Sequence, residues 1–127
     1  MQLPFADASF DRMTVGFALR NLSSVASGLA EFNRVLKPGG WLAILEFSQP
    51  TVPVVRQLVR FYYSGLLPRI GGWLSGSESA YQYLPDSISR FPDQETLAGM
   101  MRAAGLNEVE FENLSGGIAA LHMGRRA

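Results

Sequence analysis

The chain of 127 residues contains no cysteine, and its one histidine is His122. The first absence removes disulfides, thiol nucleophiles and thiolate metal sites together. The second rules out a multi-histidine metal site within one chain, so no metal is expected. With both missing, hydrolase triads have little to work with. Charge of one sign is also lacking: eleven Lys+Arg balance eleven Asp+Glu. No electrostatic feature points to nucleic acid as a partner. No apolar stretch reaches the ~18 residues that cross a bilayer. The nearest approach, Phe61 to Leu74, is interrupted by Pro68, Arg69 and Gly71-Gly72. The N-terminus has acidic residues early and no basic start before an apolar run, so no signal peptide is seen and a cytoplasmic setting is expected. Phosphate loops are missing too. Neither G-x-G-x-x-G nor G-x-x-x-x-G-K-[ST] occurs, and no Lys follows the pair Gly71 and Gly76. There is no G-x-S-x-G elbow.

Against these absences stands a composition of 47% hydrophobic and 17% charged residues. It suits one globular domain with a modest core. Phe10 to Phe17 reads as a short strand, with Met13, Val15 and Phe17 on one face. A helix follows, capped by Ser23 or Ser24, with Val25, Leu29, Phe32 and Leu36 at helical spacing. Lys37-Pro38-Gly39-Gly40 is expected to stop it. Trp41 to Phe47 is almost continuously apolar and reads as a strand covered on both faces. Strand, helix and strand make a βαβ unit with a right-handed crossover.

Val54 to Leu66 can form a helix, with Val55, Leu58, Val59 and Tyr62 on one side. Leu67 to Ser79 should be loop, and Ala80 to Phe91 a broken helix. Pro92-Asp93 opens a helix whose buried stripe is Leu97, Met100, Met101 and Ala104. Asn107 to Leu114 alternates, with Val109 and Phe111 inward. Ser115-Gly116-Gly117 turns the chain, and Ile118 to Gly124 returns antiparallel. The fold class is α/β, with a parallel pair and a closing hairpin.

Arg20-Asn21 falls just past the carboxyl end of a parallel strand, where open α/β sheets bind ligands. Arg offers a fixed cationic fork, and Asn offers both a donor and an acceptor. Together they either hold a ligand oxygen as an anion or cap nearby carbonyls in a turn. Glu46 ends an apolar strand at the same edge. It either orients a polar ligand group or satisfies backbone amides of the next loop. His122 reads as a partly buried structural residue. Phe61, Tyr62, Tyr63, Trp73, Tyr81 and Tyr83 form a dense aromatic group. They either line a pocket for a flat apolar substrate or pack as the core of a small helical subdomain. An exposed version could touch a membrane surface, with few cations to anchor it.

The run Arg34 to Ser48 (RVLKPGGWLAILEFS) resembles the signature of the UbiE/COQ5 methyltransferases, position for position. The likeness continues through Leu3-Pro4-Phe5, Phe10-Asp11, Gly16 to Asn21 (GFALRN), Ala80 to Leu84 (AYQYL), Ser87-Ile88, Phe91-Pro92 and Gly117 to His122 (GIAALH). KPGG alone is common in class I methyltransferases. The long signature joined to L-R-N and A-L-H is specific, and the likeness covers essentially the whole chain.

The resemblance implies a Rossmann-like sheet of which this chain supplies the C-terminal half, strands 4-5-7-6 with flanking helices. Residues 1–127 would then be one partial methyltransferase domain. Met1 would be an internal methionine, and the glycine loop, the ribose carboxylate and the adenine contacts would belong to the part before it. The implied activity is S-adenosylmethionine-dependent C-methylation of a demethylated isoprenoid quinol, in menaquinone or ubiquinone synthesis. The implied catalytic residues are Arg20 and Asn21, and the implied cofactor contact is Gly16. Arg20 is expected to stabilise a phenolate rather than act as a literal base, since a guanidinium is a poor proton acceptor. The aromatic segment would form a lid and tail-binding wall, giving peripheral membrane contact. The unpaired edge of the first strand would recruit a second copy of the chain. Two alternatives stand beside this reading: a non-catalytic remnant or interaction partner, and a methyltransferase for another small apolar acceptor.

Overall fold

A computed structural model describes residues 2–62, 88 and 90–127. Strand β1 (Phe10–Gly16) leads through a 3₁₀ turn (Leu19–Asn21) into helix α1 (Val25–Val35), which returns the chain to strand β2 (Leu36–Phe47). Helix α2 (Pro53–Phe61) follows. Helix α3 (Gln94–Ala103), strand β3 (Leu106–Leu114), a second 3₁₀ turn (Ser115–Gly117) and strand β4 (Ala119–Arg126) complete the described elements. The sheet order is β1-β2-β4-β3. Strands β1 and β2 run parallel, and β4 lies antiparallel between β2 and β3. This is the expected α/β arrangement, a parallel pair closed by a hairpin.

The helices start and stop where local chemistry dictates. Ser24 caps α1, its hydroxyl accepting from the Ser27 amide at 3.2 Å. Asp93 caps α3 through the Thr96 amide at 2.8 Å, which satisfies one of the orphan donors of a first turn. Leu29 and Phe32 of α1, with Leu97, Ala98 and Met101 of α3, pack on Leu42, Ile44, Leu106 and Val109 of the sheet. Each of the larger side chains removed from water contributes about 1.5–3 kcal/mol. That contribution fixes which face of the sheet turns inward.

Several expectations need correction. The motif Lys37-Pro38-Gly39-Gly40 does not lie between helix and strand. The helix has already ended at Val35, and β2 begins at Leu36. The four residues form a bulge instead: Phe10 pairs with Leu36, yet Arg12 already pairs with Trp41. Gly39 takes a φ of +81°, and a Cβ on Gly40 would lie 2.9 Å from the carbonyl oxygens of Asp11 and Lys37. Glycine is therefore required at the bulge. Trp41 to Phe47 is not covered on both faces. Leu42, Ile44 and Glu46 are buried, while Trp41, Ala43, Leu45 and Phe47 are half-buried. Among the described residues both packed helices, α1 and α3, lie on the first face.

A second bulge, at Asn107 to Glu110, breaks the expected alternation of β3. It lets Leu106 and Val109 both face the core. Helix α2 has the expected apolar side, but Leu58 and Tyr62 on it are exposed and no residue of the helix is buried. The expected loop over Leu67 to Ser79 and most of the broken helix over Ala80 to Phe91 lie outside the described residues. So do the aromatic residues from Tyr63 to Tyr83.

Candidate acceptor site at the carboxyl ends of β1 and β2

Arg20 and Asn21 sit in the 3₁₀ turn directly after β1, at the carboxyl edge of the parallel pair. The tight turn follows from Phe17, which takes a φ of +56°, and from Leu19, whose fully buried side chain pins the turn to the core. The guanidinium of Arg20 is held on three sides. Its Nη1 donates to the Phe17 carbonyl at 2.8 Å and to Glu46 Oε1 at 2.8 Å. Its plane lies over the Phe47 ring, with Cζ 5.3 Å from the centroid, a cation–π distance. The Arg20 Nε is buried and has no partner among the described residues.

Glu46 is 1% exposed. Its Oε1 also accepts from the Phe47 amide at 3.0 Å, and its Oε2 accepts from the Arg20 amide at 3.3 Å. Both expectations for this residue were too narrow. Glu46 does satisfy backbone amides, but its main partner is Arg20, which the sequence reading had not paired with it. The signal was present: both residues fall at the carboxyl ends of adjacent parallel strands, and a lone carboxylate closing an apolar run needs a cation or several amides.

A cavity of about 430 Å³ opens beside this pair, lined by residues 20–23, Val25 and residues 90–92. The volume is in the range of small-molecule sites. Among the described residues its lining includes two arginines and no Asp or Glu, which suits an anionic group on a partly apolar ligand. Arg90, Phe91 and Pro92 were not singled out as site residues from the sequence. They reach the cavity because the chain leading into α3 passes over the 3₁₀ turn. Gly16 is the last residue of β1, is exposed, and does not line this cavity. A Cβ built on it would meet nothing within 4 Å. The structure thus brings Arg20 and Asn21 together and leaves Gly16 apart from them.

These residues do not by themselves fit S-adenosylmethionine. The space beside Gly16 is open rather than shaped. At the carboxyl end of β1 the buried carboxylate among the described residues is Glu46, already bonded to Arg20. Among the described residues no group of three or more His, Asp or Glu side chains is placed to hold a metal ion.

His122 is 1% exposed, so it is fully rather than partly buried. Its Nε2 lies 3.0 Å from the Gln94 carbonyl, and its ring stacks on Phe111 with centroids 5.2 Å apart. Burial pushes the imidazole below its ordinary value, partly countered by the Gln94 carbonyl. It lies in the core and does not line the cavity.

Comparison with known proteins gives these features a context. Residues 1–126 match the ubiE/COQ5 methyltransferase family. A ubiquinone/menaquinone biosynthesis C-methyltransferase UbiE from Paracoccus denitrificans is 51% identical over 124 residues, which cover 98% of this chain and 50% of the relative. A demethylmenaquinone methyltransferase from Clavibacter sepedonicus is 50% identical over 122 residues, covering 96% of this chain and 50% of its own length. The chain spans about half the length of these relatives. Among solved structures, a SAM-dependent methyltransferase from Thermotoga maritima superposes with a TM-score of 0.68 at 18% identity, over 99% of this chain and 60% of the other. The [4+2]-cyclase SpnF superposes with a TM-score of 0.65 at 18% identity, over 98% of this chain and 52% of the other. Likeness at that identity concerns the fold alone, as the cyclase illustrates. The sheet order, the signature around β2 and the match along its length together place this chain in the ubiE/COQ5 methyltransferase family.

Proposed function

We propose that the chain carries the acceptor side of an S-adenosylmethionine-dependent C-methyltransferase acting on a demethylated isoprenoid quinol in quinone biosynthesis. Residues 1–127 form one partial methyltransferase domain in this reading. The observation that carries it is the cavity beside Arg20 and Asn21, where a cation is held rigidly against a partly apolar wall. The family and the activities for which its relatives are named support the choice of reaction.

The chemistry follows from the residues. A quinol ring carbon becomes a good nucleophile when the hydroxyl beside it loses its proton. A guanidinium offers donors and no acceptor, so Arg20 does not take that proton itself. It can stabilise the phenolate oxygen that results, with the proton passing to water. Asn21 can orient the same oxygen or that water. A preorganised cation at a developing charge is typically worth ~10² to 10³ in rate. Gly16 lies at the strand end where a cofactor would approach and leaves that approach unobstructed.

The same reading places the protein in the cytoplasm with peripheral membrane contact, because its acceptor carries an isoprenoid tail. Among the described residues no helix is long and apolar enough to cross a membrane. A second copy of the chain is a proposed partner through β1, which among the described residues pairs only with β2. This open edge also favours a second reading, a non-catalytic interaction partner.

A chimaera tests the proposal. The corresponding half of the Paracoccus denitrificans relative is replaced by this chain, and methylated quinone is measured in a strain lacking its own enzyme. Restored quinone is expected, and Arg20→Ala in the chimaera should reduce turnover by ~10² or more. A stable chimaera that restores nothing would favour the interaction-partner reading.

A further inference from the structure

We propose that Glu46 is the positioning residue of the site: its buried carboxylate clamps Arg20, a residue of the cavity wall, and so fixes where the guanidinium stands. The inference rests on the reading that Arg20 meets an oxyanion of the acceptor, and it assigns a role to a residue that touches no acceptor itself.

The geometry is specific. Three donors converge on the carboxylate, and two of them belong to Arg20: its Nη1 at 2.8 Å and its own backbone amide at 3.3 Å. Glu46 therefore fixes both ends of one residue, where the chain bends and where its charge sits. The third donor, the Phe47 amide at 3.0 Å, stops the carboxylate from swinging away. Nη1 is shared between Glu46 and Phe17, and the buried Nε has no partner among the described residues. An arginine side chain free in solution samples many rotamers, and each immobilised one costs ordering free energy on binding. A guanidinium already clamped has met that cost before the ligand arrives.

Burial fits the same role. The side chains of Arg20 and Glu46 are 11% and 2% exposed. A pair so little hydrated gains little net stability over an apolar pair of similar volume. What it supplies is direction, because charge-assisted bonds are short and angle-dependent.

The test uses this chain and a stable stand-in for the acceptor anion, 2-hydroxy-1,4-naphthoquinone, which is ionised at neutral pH. Two readouts are taken on the unaltered chain and on Arg20→Ala, Glu46→Gln, Glu46→Asp and the double variant Arg20→Ala/Glu46→Gln. One is nuclear magnetic resonance of the Arg20 guanidinium, where a clamped group shows separate Nη1 and Nη2 signals. The other is calorimetric affinity for the naphthoquinone. Glu46→Gln should merge the two signals and weaken binding about tenfold, near the lower end for one charge-assisted bond. Glu46→Asp keeps the charge and should give an intermediate loss, which guards against misfolding of the glutamine variant. The double variant should bind no more weakly than Arg20→Ala alone, since Glu46 acts only through Arg20. Wild-type affinity in both Glu46 variants, beside a clear loss in Arg20→Ala, would overturn the positioning role and leave the reading of Arg20 intact. Wild-type affinity in Arg20→Ala, or no binding by the unaltered chain, would overturn the reading of Arg20 and the inference with it.

Discussion

Replacing Arg20 by alanine should unsettle the fold as well as the chemistry, and the size of the effect follows from what Glu46 loses. The carboxylate is 1% exposed, and its side-chain partner among the described residues is Arg20. Breaking a buried ion pair from one side typically costs 3–5 kcal/mol, because the remaining charge stays in a poorly solvated place. Here the backbone amides of Phe47 and Arg20 remain as donors to the same carboxylate. They hold the cost to the lower end, about 3 kcal/mol. With urea slopes of about 1–3 kcal/mol per molar, the midpoint of unfolding should fall by roughly 1–3 M. Adding Glu46→Leu removes the stranded charge and replaces it by apolar volume. The double variant should recover much of the loss, a coupling of order 1–3 kcal/mol in a double-mutant cycle. Urea unfolding followed by tryptophan fluorescence measures all four proteins. Arg20→Ala within about 0.5 kcal/mol of the parent, or strictly additive effects, would refute the clamp that underlies the site.

Three further outcomes are expected. The His122 imidazole sits below its ordinary ~6.5 because it is buried. The unfolded chain therefore takes up that proton first: stability should be flat above about pH 6.5 and fall below it by up to about 1.4 kcal/mol per pH unit, until the folded imidazole itself protonates. His122→Phe should abolish that slope in urea titrations at a series of pH values. The bond from Arg34, then that from the Leu3 amide, holds the Glu31 carboxyl down to about 2. The tie it gives the N-terminal segment should be full above the ordinary ~4.3 and be lost as pH falls toward 2, read as a shift of the Leu3 amide resonance; a Leu3 amide unchanged down to pH 2 would contradict it. The open edge of β1 should make the chain associate, so sedimentation should show concentration-dependent dimers or larger species; a monomer with protected β1 amides would show that this edge is closed.

The order of elements was legible because each βα junction carries its own local chemistry. Ser24 and Asp93 are both N-caps in the structure, and the stripe Leu29, Phe32, Leu97 and Met101 does face the sheet. The bulges were not legible. At Gly39-Gly40 the sequence shows turn residues, and only the facing carbonyls of Asp11 and Lys37 decide that they bulge within a strand instead of ending one. Along β3 the backbone of Glu108, with a φ of +53°, resets the alternation. A non-glycine residue gives no sequence sign of that conformation. The coverage of β2 was overread because a continuous apolar run fits two covered faces as well as one covered and one half-open.

The candidate site was legible in part. Position relative to strand ends singled out Arg20, Asn21 and Glu46, since parallel sheets collect ligand-binding residues at their carboxyl edge. That Arg20 and Glu46 would pair depends on the register Gly16↔Leu45, which the sequence does not state. Arg90 enters the cavity by a long-range contact, and no local pattern marks it. Membership of a family brought the reaction class, while the geometry brought the clamp.

In the proposed function this chain receives the acceptor, while its own residues do not build a cofactor site. Isothermal titration calorimetry of the 127-residue chain tests that division most directly, with 2-hydroxy-1,4-naphthoquinone in one titration and S-adenosylmethionine in another. The account predicts saturable binding of the naphthoquinone and, for S-adenosylmethionine, affinity no tighter than about millimolar, the scale of a few weak contacts. Micromolar binding of S-adenosylmethionine to the monomeric chain, or no heat with the naphthoquinone, would contradict it.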